Sequence, residues 1–213
     1  MLDDLWFAVV PLKRPVIAKS RLRGAVPRTG HQDLVLAMAL DTVAAVVGCP
    51  AIGTVVVVCD DPAVRGAVAD LGARGVADLP GAGLNAAMVF GASALGDHDS
   101  PVVALTADLP AARPEELAEA LSAAAEAGGA AFVPDTAGTG TVLLTARSAS
   151  TFAPSFGMGS AARHEAAGAL RLDRDWRGLR RDVDSVTDLR AVAALGPGLR
   201  TSALLASTSG YGY

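Results

Sequence analysis

The fold class follows from the stretch Thr54-Val55-Val56-Val57-Val58-Cys59-Asp60-Asp61-Pro62. A run of β-branched residues without polar alternation is typical of a strand that is buried on both faces of a sheet. The run ends where an aspartate can cap a helix that the proline opens. A buried strand followed at once by a helix is the unit of a mostly parallel sheet that is covered by helices on both faces.

The same alternation continues in both directions along the chain. Five further runs predict strands: Trp6 to Pro11, Arg74 to Ala77, Val102 to Thr106, Ala131 to Val133 and Val142 to Leu144. Besides the helix that Pro62 opens, helices are predicted over His31 to Val47, Leu84 to Leu95, Pro114 to about Gly128, Ser160 to about Leu170, and from about Val186. Because no repeat or linker interrupts this pattern, we expect a single domain over 1–206, followed by a mobile tail over 207–213.

Composition excludes several classes of function. Of the 213 residues, 51% are hydrophobic and only 4% aromatic, so Val, Leu and Ala must build the core. The net charge of −4 argues against general nucleic-acid binding, which needs an extended basic face. Cys49 and Cys59 are too few for a disulfide framework and are expected to be buried thiols. No apolar run is long enough to span a bilayer, so we expect a cytoplasmic protein that does not bind membranes.

The only two lysines of the chain, Lys13 and Lys19, share one seven-residue window after the first predicted strand, whereas the other sixteen basic residues are arginine. In a composition so biased toward arginine, two retained lysines indicate that a compact ammonium is required at these positions. Chance clustering of two surface charges is the alternative. Ligands of open α/β sheets bind beyond the carboxyl ends of the strands, where this loop lies. Residues 12–22 contain no glycine, so side-chain charge must bind any phosphate there.

Two aspartates from distant parts of the chain are candidate metal ligands. Asp108 follows the predicted strand over 102–106, and Asp184 lies just before the last predicted helix. Mg²⁺ is usually held by one or two carboxylates together with phosphate oxygens and water, an arrangement that phosphoryl and nucleotidyl transfer require. Asp108 could instead cap a turn. Ser185 with Asp188 resembles a capping box, which explains that pair without a function and leaves Asp184 for the metal.

Two glycine-rich turns are candidate anion sites. Phe156-Gly157-Met158-Gly159-Ser160 precedes a predicted helix, whose unpaired first-turn amides, together with the serine hydroxyl, could bind a small anion. A purely structural turn with a serine cap would look the same, and Gly138-Thr139-Gly140-Thr141 is equally ambiguous. The histidines His31, His98 and His164 lack metal-ligand spacing and are given no role. No Gly-x-Ser-x-Gly motif occurs, so nucleophilic catalysis is not expected.

Taken together and in order over residues 6–190, these motifs resemble the guanylyltransferase family of coenzyme F-420 biosynthesis. The stretches that carry the resemblance are Val10-Pro11-Leu12-Lys13, Ala18-Lys19-Ser20-Arg21-Leu22, Gly83-Leu84-Asn85-Ala86-Ala87, Ala107-Asp108-Leu109-Pro110, residues 135–141, and Phe156-Gly157-x-Gly159-Ser160-Ala161-x-Arg163-His164. The resemblance implies a three-layer, Rossmann-like nucleotide-diphospho-sugar transferase fold with a mostly parallel sheet. It also implies that GTP reacts with phosphoenolpyruvate or 2-phospho-L-lactate and that pyrophosphate is released. The actinobacterial-looking composition favours phosphoenolpyruvate.

The resemblance further implies a role for each motif. Catalytic contacts to the GTP phosphates fall to Lys13, Lys19 and Arg21, further nucleotide contacts to Pro11, Leu12, Gly83 and Asn85, Mg²⁺ to Asp108 and Asp184, and the phosphorylated acid to Thr141, Gly157 and Ser160. The chain departs from the family pattern at Met158, where proline is common, and at 184–188, where Asp-Ser-Val-Thr-Asp replaces Asp-Thr-Pro-Glu-Asp. A contribution of Asp182 to the metal stays open, as does a hand-over of the product to the next enzyme of the pathway.

These residues suit an in-line attack by an acceptor phosphate oxygen on the α-phosphorus of GTP. That oxygen is already ionised at neutral pH, so positioning and charge neutralisation suffice without a general base. Three alternatives are another nucleotidyltransferase of this fold acting on molybdopterin or a sugar phosphate, a nicotinamide oxidoreductase, and a non-catalytic nucleotide-binding subunit. The oxidoreductase should show a glycine fingerprint after the first strand, which residues 12–22 lack.

Overall fold

The computed structural model describes residues 5–12, 22, 30–94 and 99–208 of the chain. Three of the predicted site residues, Lys13, Lys19 and Arg21, lie outside the described residues, as does His98. What the sequence predicts for these residues therefore stays a prediction.

Strands and helices alternate along most of the described residues. The strands are β1 (Trp6–Pro11), β2 (Ile52–Val58), β3 (Arg74–Val76), β4 (Val102–Leu105), β5 (Ala131–Pro134), β6 (Thr141–Ala146) and β7 (Leu170–Arg171). The α-helices are α1 (His31–Val47), α2 (Pro62–Ala69), α3 (Leu84–Ser93), α4 (Pro114–Ala127), α5 (Ser160–Ala166), α6 (Val186–Leu195) and α7 (Leu199–Thr208), with a 3-10 turn at Ala149–Thr151. Within the described residues, no helix combines the length and hydropathy needed to cross a membrane.

The strands form one sheet in the order β3-β2-β1-β4-β6-β5-β7. Strand β1 runs parallel to β2 and β4, β2 to β3, and β5 to β7, whereas β6 runs antiparallel to both β4 and β5. Two reversals in succession restore the direction, so β1, β2, β4 and β5 all end at the same edge, where β6 begins. We call this edge the strand-end edge. The predicted fold class, a mostly parallel α/β sheet, is confirmed.

Strand β2 is buried on both faces, as its sequence predicts. Val55 and Val57 belong to the apolar cluster that contains the inner faces of α1 and α4. Val56 and Val58 point the other way and join the cluster that contains α3. Because side chains alternate along a strand, one run of valines packs against the helix layers on both faces of the sheet. The helix after β2 begins as predicted, with the Ala63 amide donating to the Asp61 carboxylate at 2.9 Å.

The structure corrects two sequence predictions. The helix after Ser160 ends at Ala166 rather than near Leu170, because Gly168 adopts a φ of +87° and the next residues form β7 beside β5. A helix that the sequence did not predict, α7, follows α6 after a break at 196–198. The helical backbone of α7 extends to Thr208 and thus includes the first two residues of the predicted tail, whereas 209–213 lie outside the described residues.

The start of α7 depends on a buried carboxylate in α1. Asp41, which interrupts the apolar run of α1, accepts hydrogen bonds from the backbone amides of Arg200 at 3.2 Å and Thr201 at 2.7 Å. These are two of the amides that a helix start leaves without an intrahelical partner. The same helix carries the buried Thr42 one residue later, which supports the site described next. Cys49 and Cys59 are both buried free thiols, as predicted.

Candidate active site

Asp108 lies at the strand-end edge, in the loop directly after β4, and is half-buried. Two hydrogen bonds to the backbone hold this loop in place. The Leu109 amide donates to the Thr42 hydroxyl at 3.0 Å, and the Asp108 carbonyl accepts from the Val183 amide at 3.1 Å. Thr42 itself is held in α1 by donating to the Met38 carbonyl at 2.9 Å. The backbone position of Asp108 is therefore fixed by α1 and by the segment before α6.

The hydrogen bond between Val183 and Asp108 also brings the second candidate aspartate to the same place. Val183 is buried, and the next residue, Asp184, is exposed. Asp188 starts α6 as the sequence predicts: its carboxylate accepts from the Ser185 amide at 2.9 Å and from the Ser185 hydroxyl at 2.7 Å, while the Ser185 hydroxyl accepts from the Asp188 amide at 3.3 Å. The capping box is confirmed, and Asp188 is committed to the start of the helix.

The donor set at this position suits Mg²⁺. Carboxylate oxygens are the protein ligands that this ion prefers, and in nucleotide sites it keeps several waters and substrate oxygens. Within the described residues, no group of three or more His, Cys, Asp or Glu side chains forms a metal site. A site with two carboxylates, completed by phosphate oxygens and water, needs no such group. Asp108 and Asp184 therefore fit the ion that the sequence predicts.

The described part of the predicted nucleotide site also lies at this edge. Pro11 ends β1, and the amide of Leu12 donates to the Val58 carbonyl at 2.8 Å; both residues are buried. Gly83 precedes α3 with a φ of +98°, a backbone conformation that side chains disfavour, so a glycine is needed at this turn. These positions agree with a nucleotide at the strand-end edge, and their contacts to a nucleotide stay a prediction.

Asn85 makes a contact that the sequence did not predict. Its side-chain oxygen accepts from the Phe156 amide at 2.8 Å, and its side-chain nitrogen donates to the Phe156 carbonyl at 3.2 Å. This paired contact ties the first turn of α3 to the loop before α5. Asn85 thus positions that loop. One N–H and one lone pair of its side-chain oxygen remain for the nucleotide contact that the resemblance implies.

The turn between β5 and β6 is fixed by its own aspartate. The Asp135 carboxylate accepts from the amides of Thr139 at 3.0 Å and Gly140 at 2.9 Å. A side chain at Gly140 would collide with the Asp135 carboxylate, so the glycine is required by close approach. The turn leads directly into Thr141, the first residue of β6, which is therefore held at the strand-end edge.

The second glycine turn, residues 156–159, is held by the helix that follows it. Arg163 donates to the Met158 carbonyl at 2.6 Å and to the Ser155 carbonyl at 2.8 Å. The Ser160 amide donates to the Gly157 carbonyl at 3.0 Å, and the Ala161 amide donates to the Thr139 carbonyl at 3.1 Å. These two amides are therefore not the unpaired donors that the sequence analysis expected. Their bonds instead join the two glycine turns and bring Gly157 and Ser160 to the side of Thr141.

His164, which the sequence analysis left without a role, connects the same two turns. It is only 2% exposed. Its Nε2 atom accepts from the Ser155 amide at 2.9 Å, and its Nδ1 atom lies 2.9 Å from the Thr141 hydroxyl oxygen. One signal in the sequence could have indicated it: His164 is four residues after Ser160, so both lie on the same face of a helix.

The comparisons with known proteins agree with this arrangement. A family model described as a MobA-like NTP transferase domain matches residues 21–180. The phosphoenolpyruvate guanylyltransferase of Salinispora arenicola is 52% identical and covers 98% of this chain and 96% of its own length. That of Geodermatophilus obscurus is 53% identical and covers 94% of each chain. The chain belongs to the phosphoenolpyruvate guanylyltransferase family. The family that the short motifs indicated is thereby confirmed.

Solved structures agree with the fold of this guanylyltransferase family. A protein from Desulfovibrio desulfuricans described as a nucleotide-diphospho-sugar transferase has a TM-score of 0.61 at 19% identity and covers 89% of this chain and 95% of its own. A nucleotidyl transferase from Methanothermobacter has the same TM-score, 0.61, at 18% identity, with coverage of 90% and 97%. These likenesses confirm the nucleotide-diphospho-sugar transferase fold.

In this guanylyltransferase, burial and a neighbouring positive charge keep His164 neutral. Burial, with a smaller contribution from the neighbouring Arg163 charge, lowers the pKa of His164 from its ordinary value of 6.5 to about 4. The ring is therefore neutral at physiological pH, as its acceptance of a hydrogen bond at Nε2 also requires.

This shift predicts how stability depends on pH. Between pH 6.5 and pH 4 the unfolded chain binds a proton at His164 that the folded chain does not. The free energy of unfolding should therefore fall as the pH falls through this window, by about 3 kcal/mol from this group alone. Urea denaturation across the window measures the slope. The variant His164→Asn does not titrate and should lose correspondingly less stability, whereas parallel losses in the two proteins would contradict the shift.

Proposed function

We propose that this chain is a Mg²⁺-dependent guanylyltransferase that joins GTP to phosphoenolpyruvate and releases pyrophosphate, in the biosynthesis of coenzyme F-420. The relatives, which are about half identical in sequence over nearly the whole chain, carry names that support the reaction class. The observation that carries the proposal is the placement of the candidate residues. Two aspartate segments meet at the strand-end edge, and the two glycine turns meet beside them at the start of β6.

The reaction is a displacement at the α-phosphorus of GTP. An oxygen of the acceptor phosphate forms a bond to this phosphorus, and the bond from the phosphorus to the oxygen that bridges to the β-phosphate breaks, so that pyrophosphate leaves with the electron pair. The acceptor oxygen is already ionised, so no proton has to be removed. Catalysis then depends on alignment and on neutralising the charge that develops on the leaving group.

The residues of this chain divide between those two tasks. Lys13, Lys19 and Arg21 would neutralise charge on the triphosphate, and Asp108 with Asp184 would hold Mg²⁺. The ion, when bound, supplies further positive charge to the phosphate oxygens. Alignment of the acceptor would fall to the residues of the two glycine turns, which are Thr141, Gly157 and Ser160. The network that Arg163, Asn85 and His164 make holds these turns rigid before the substrate arrives.

The acceptor can be tested against its nearest alternative, 2-phospho-L-lactate. Pyrophosphate release is measured with GTP and Mg²⁺, with each acceptor in parallel, and in a further reaction with CTP and a sugar phosphate. We expect the fastest release with GTP and phosphoenolpyruvate. Faster release with 2-phospho-L-lactate would reassign the acceptor, release with CTP and a sugar phosphate would assign another nucleotidyltransferase activity, and binding of GTP without any release would favour a non-catalytic subunit. A hand-over of the product to the next enzyme of the pathway stays a proposal.

A further inference from the structure

His164 is the centre of a short chain of hydrogen bonds that ends at the predicted acceptor site. The Ser155 amide donates to Nε2 at 2.9 Å on one side, and Nδ1 lies 2.9 Å from the Thr141 hydroxyl oxygen on the other. Both His164 and Thr141 are buried, with exposures of 2% and 6%. Because burial makes unpaired polar groups costly, the directions of these two bonds are well determined.

The directions follow from which atoms carry hydrogen. A peptide amide can only donate, so Nε2 must be the unprotonated nitrogen of the ring. A neutral imidazole carries its hydrogen on the other nitrogen, so Nδ1–H donates to the Thr141 hydroxyl oxygen. Thr141 therefore accepts from the ring, and the hydrogen of its own hydroxyl cannot be given to the ring.

That hydroxyl hydrogen needs an acceptor, and none is found among residues 5–12, 22, 30–94 and 99–208. Thr141 begins β6 at the strand-end edge, where the Ala161 amide ties the start of α5 to the neighbouring turn at Thr139. An anionic oxygen entering from this edge would accept the hydrogen. A phosphate or carboxylate oxygen is such an acceptor, and hydrogen bonds to ionised groups are the stronger ones.

We propose that His164 is a positioning residue that fixes the Thr141 hydroxyl as a hydrogen-bond donor to an anionic oxygen of the phosphorylated acid. The inference rests on the proposed function in placing Thr141 at the acceptor site. The surroundings hold the ring in this orientation: Phe132 and Phe156 pack against it with ring centroids at 5.8 Å and 5.4 Å. Phe156 is in turn held by Asn85, so the orientation of the ring is linked to α3.

The first test is spectroscopic and does not need substrate. Nitrogen-15 NMR of the labelled protein distinguishes a ring protonated at Nδ1 from one protonated at Nε2. We expect the Nδ1–H form for His164, assigned by the signal that is lost in His164→Asn. The Nε2–H form would overturn the proposal whatever the substrate is, because Thr141 would then be free to donate to the ring.

The second test is a double-mutant cycle read in the Michaelis constants. His164→Phe keeps a ring of similar size without its nitrogens, and Thr141→Val removes the hydroxyl. Each should raise the KM for phosphoenolpyruvate roughly ten-fold, the effect of losing one hydrogen bond to an ionised group, with little change in the KM for GTP. His164→Asn can still donate near the Nδ1 position and should restore much of the loss.

Because the two residues act through one bond, the double variant should be no worse than either single variant. Additive losses, or a His164→Phe variant with an unchanged KM for phosphoenolpyruvate, would overturn the positioning role. If His164→Phe fails to fold, the NMR measurement on the parent protein still tests whether the ring donates to Thr141. A parent enzyme that releases no pyrophosphate with phosphoenolpyruvate would instead refute the proposed function, while the NMR result would still decide the hydrogen-bond direction.

Discussion

Replacing Asp108 by asparagine is expected to lower kcat/KM for guanylyl transfer by about three orders of magnitude, the usual scale for losing a charged group that stabilises the transition state. Asparagine has almost the same shape but lacks the negative charge that would hold Mg²⁺. The hydrogen bonds that fix the loop are made by the backbone, to Thr42 and Val183, and asparagine leaves them in place. The variant should therefore melt at nearly the same temperature as the parent.

Asp184→Asn should act in the same direction, because the Val183 contact brings its segment to Asp108. The matched control is Asp175→Asn, which removes an exposed carboxylate paired with Arg177 and should leave activity unchanged. Binding of Mn²⁺, followed by electron paramagnetic resonance, supplies a readout that is independent of turnover. An Asp108→Asn variant with parental Mn²⁺ affinity and activity would refute the metal assignment.

Replacing Lys19 by alanine is expected to lower kcat by about two to three orders of magnitude, within the range for removal of one preorganised charge from a transition state. Negative charge grows on the leaving pyrophosphate during the reaction, so a cation placed there acts more on kcat than on the KM for GTP. Lys19→Arg should recover only part of the loss, because the planar guanidinium differs in size and reach from the ammonium.

Arg190→Ala, on the exposed face of α6, is the control for loss of one positive charge. It should leave kcat unchanged, and circular dichroism should show all three variants folded. A Lys19→Ala enzyme that turns over at the parental rate would refute the role proposed for Lys19.

The fold was predictable where its signals are local. The valines of β2 and the Asp61 cap of α2 lie within one short stretch, and α1 has the bounds that its pattern predicts. Helix α7 was not predicted, because its start is capped by Asp41, far away in the sequence. Strand β7 is only two residues long and exists through its pairing with β5, which no local pattern reports.

In the candidate site, too, the features with local signals were predictable and those that depend on distant partners were not. The place of Asp108 after a strand and the capping box of α6 were both predicted from local sequence and are confirmed. The roles of Asn85 and His164 depend on partners in other segments, namely Phe156 for Asn85 and Thr141 for His164. Those tertiary contacts decide which hydrogen-bonding groups remain for a ligand. A sequence pattern can therefore indicate the residues of a site while missing the ones that hold them in place.

In the proposed reaction, an oxygen of the acceptor phosphate attacks the α-phosphorus of GTP. The most direct measurement uses phosphoenolpyruvate labelled with oxygen-18 in its phosphate group, with Mg²⁺, unlabelled GTP and the parent enzyme, followed by mass spectrometry of both products. All of the label should appear in enolpyruvyl-diphospho-guanosine, including the new bridge between the two phosphorus atoms, and the pyrophosphate should carry none. Label in the pyrophosphate, or no labelled guanosine product, would refute this mechanism.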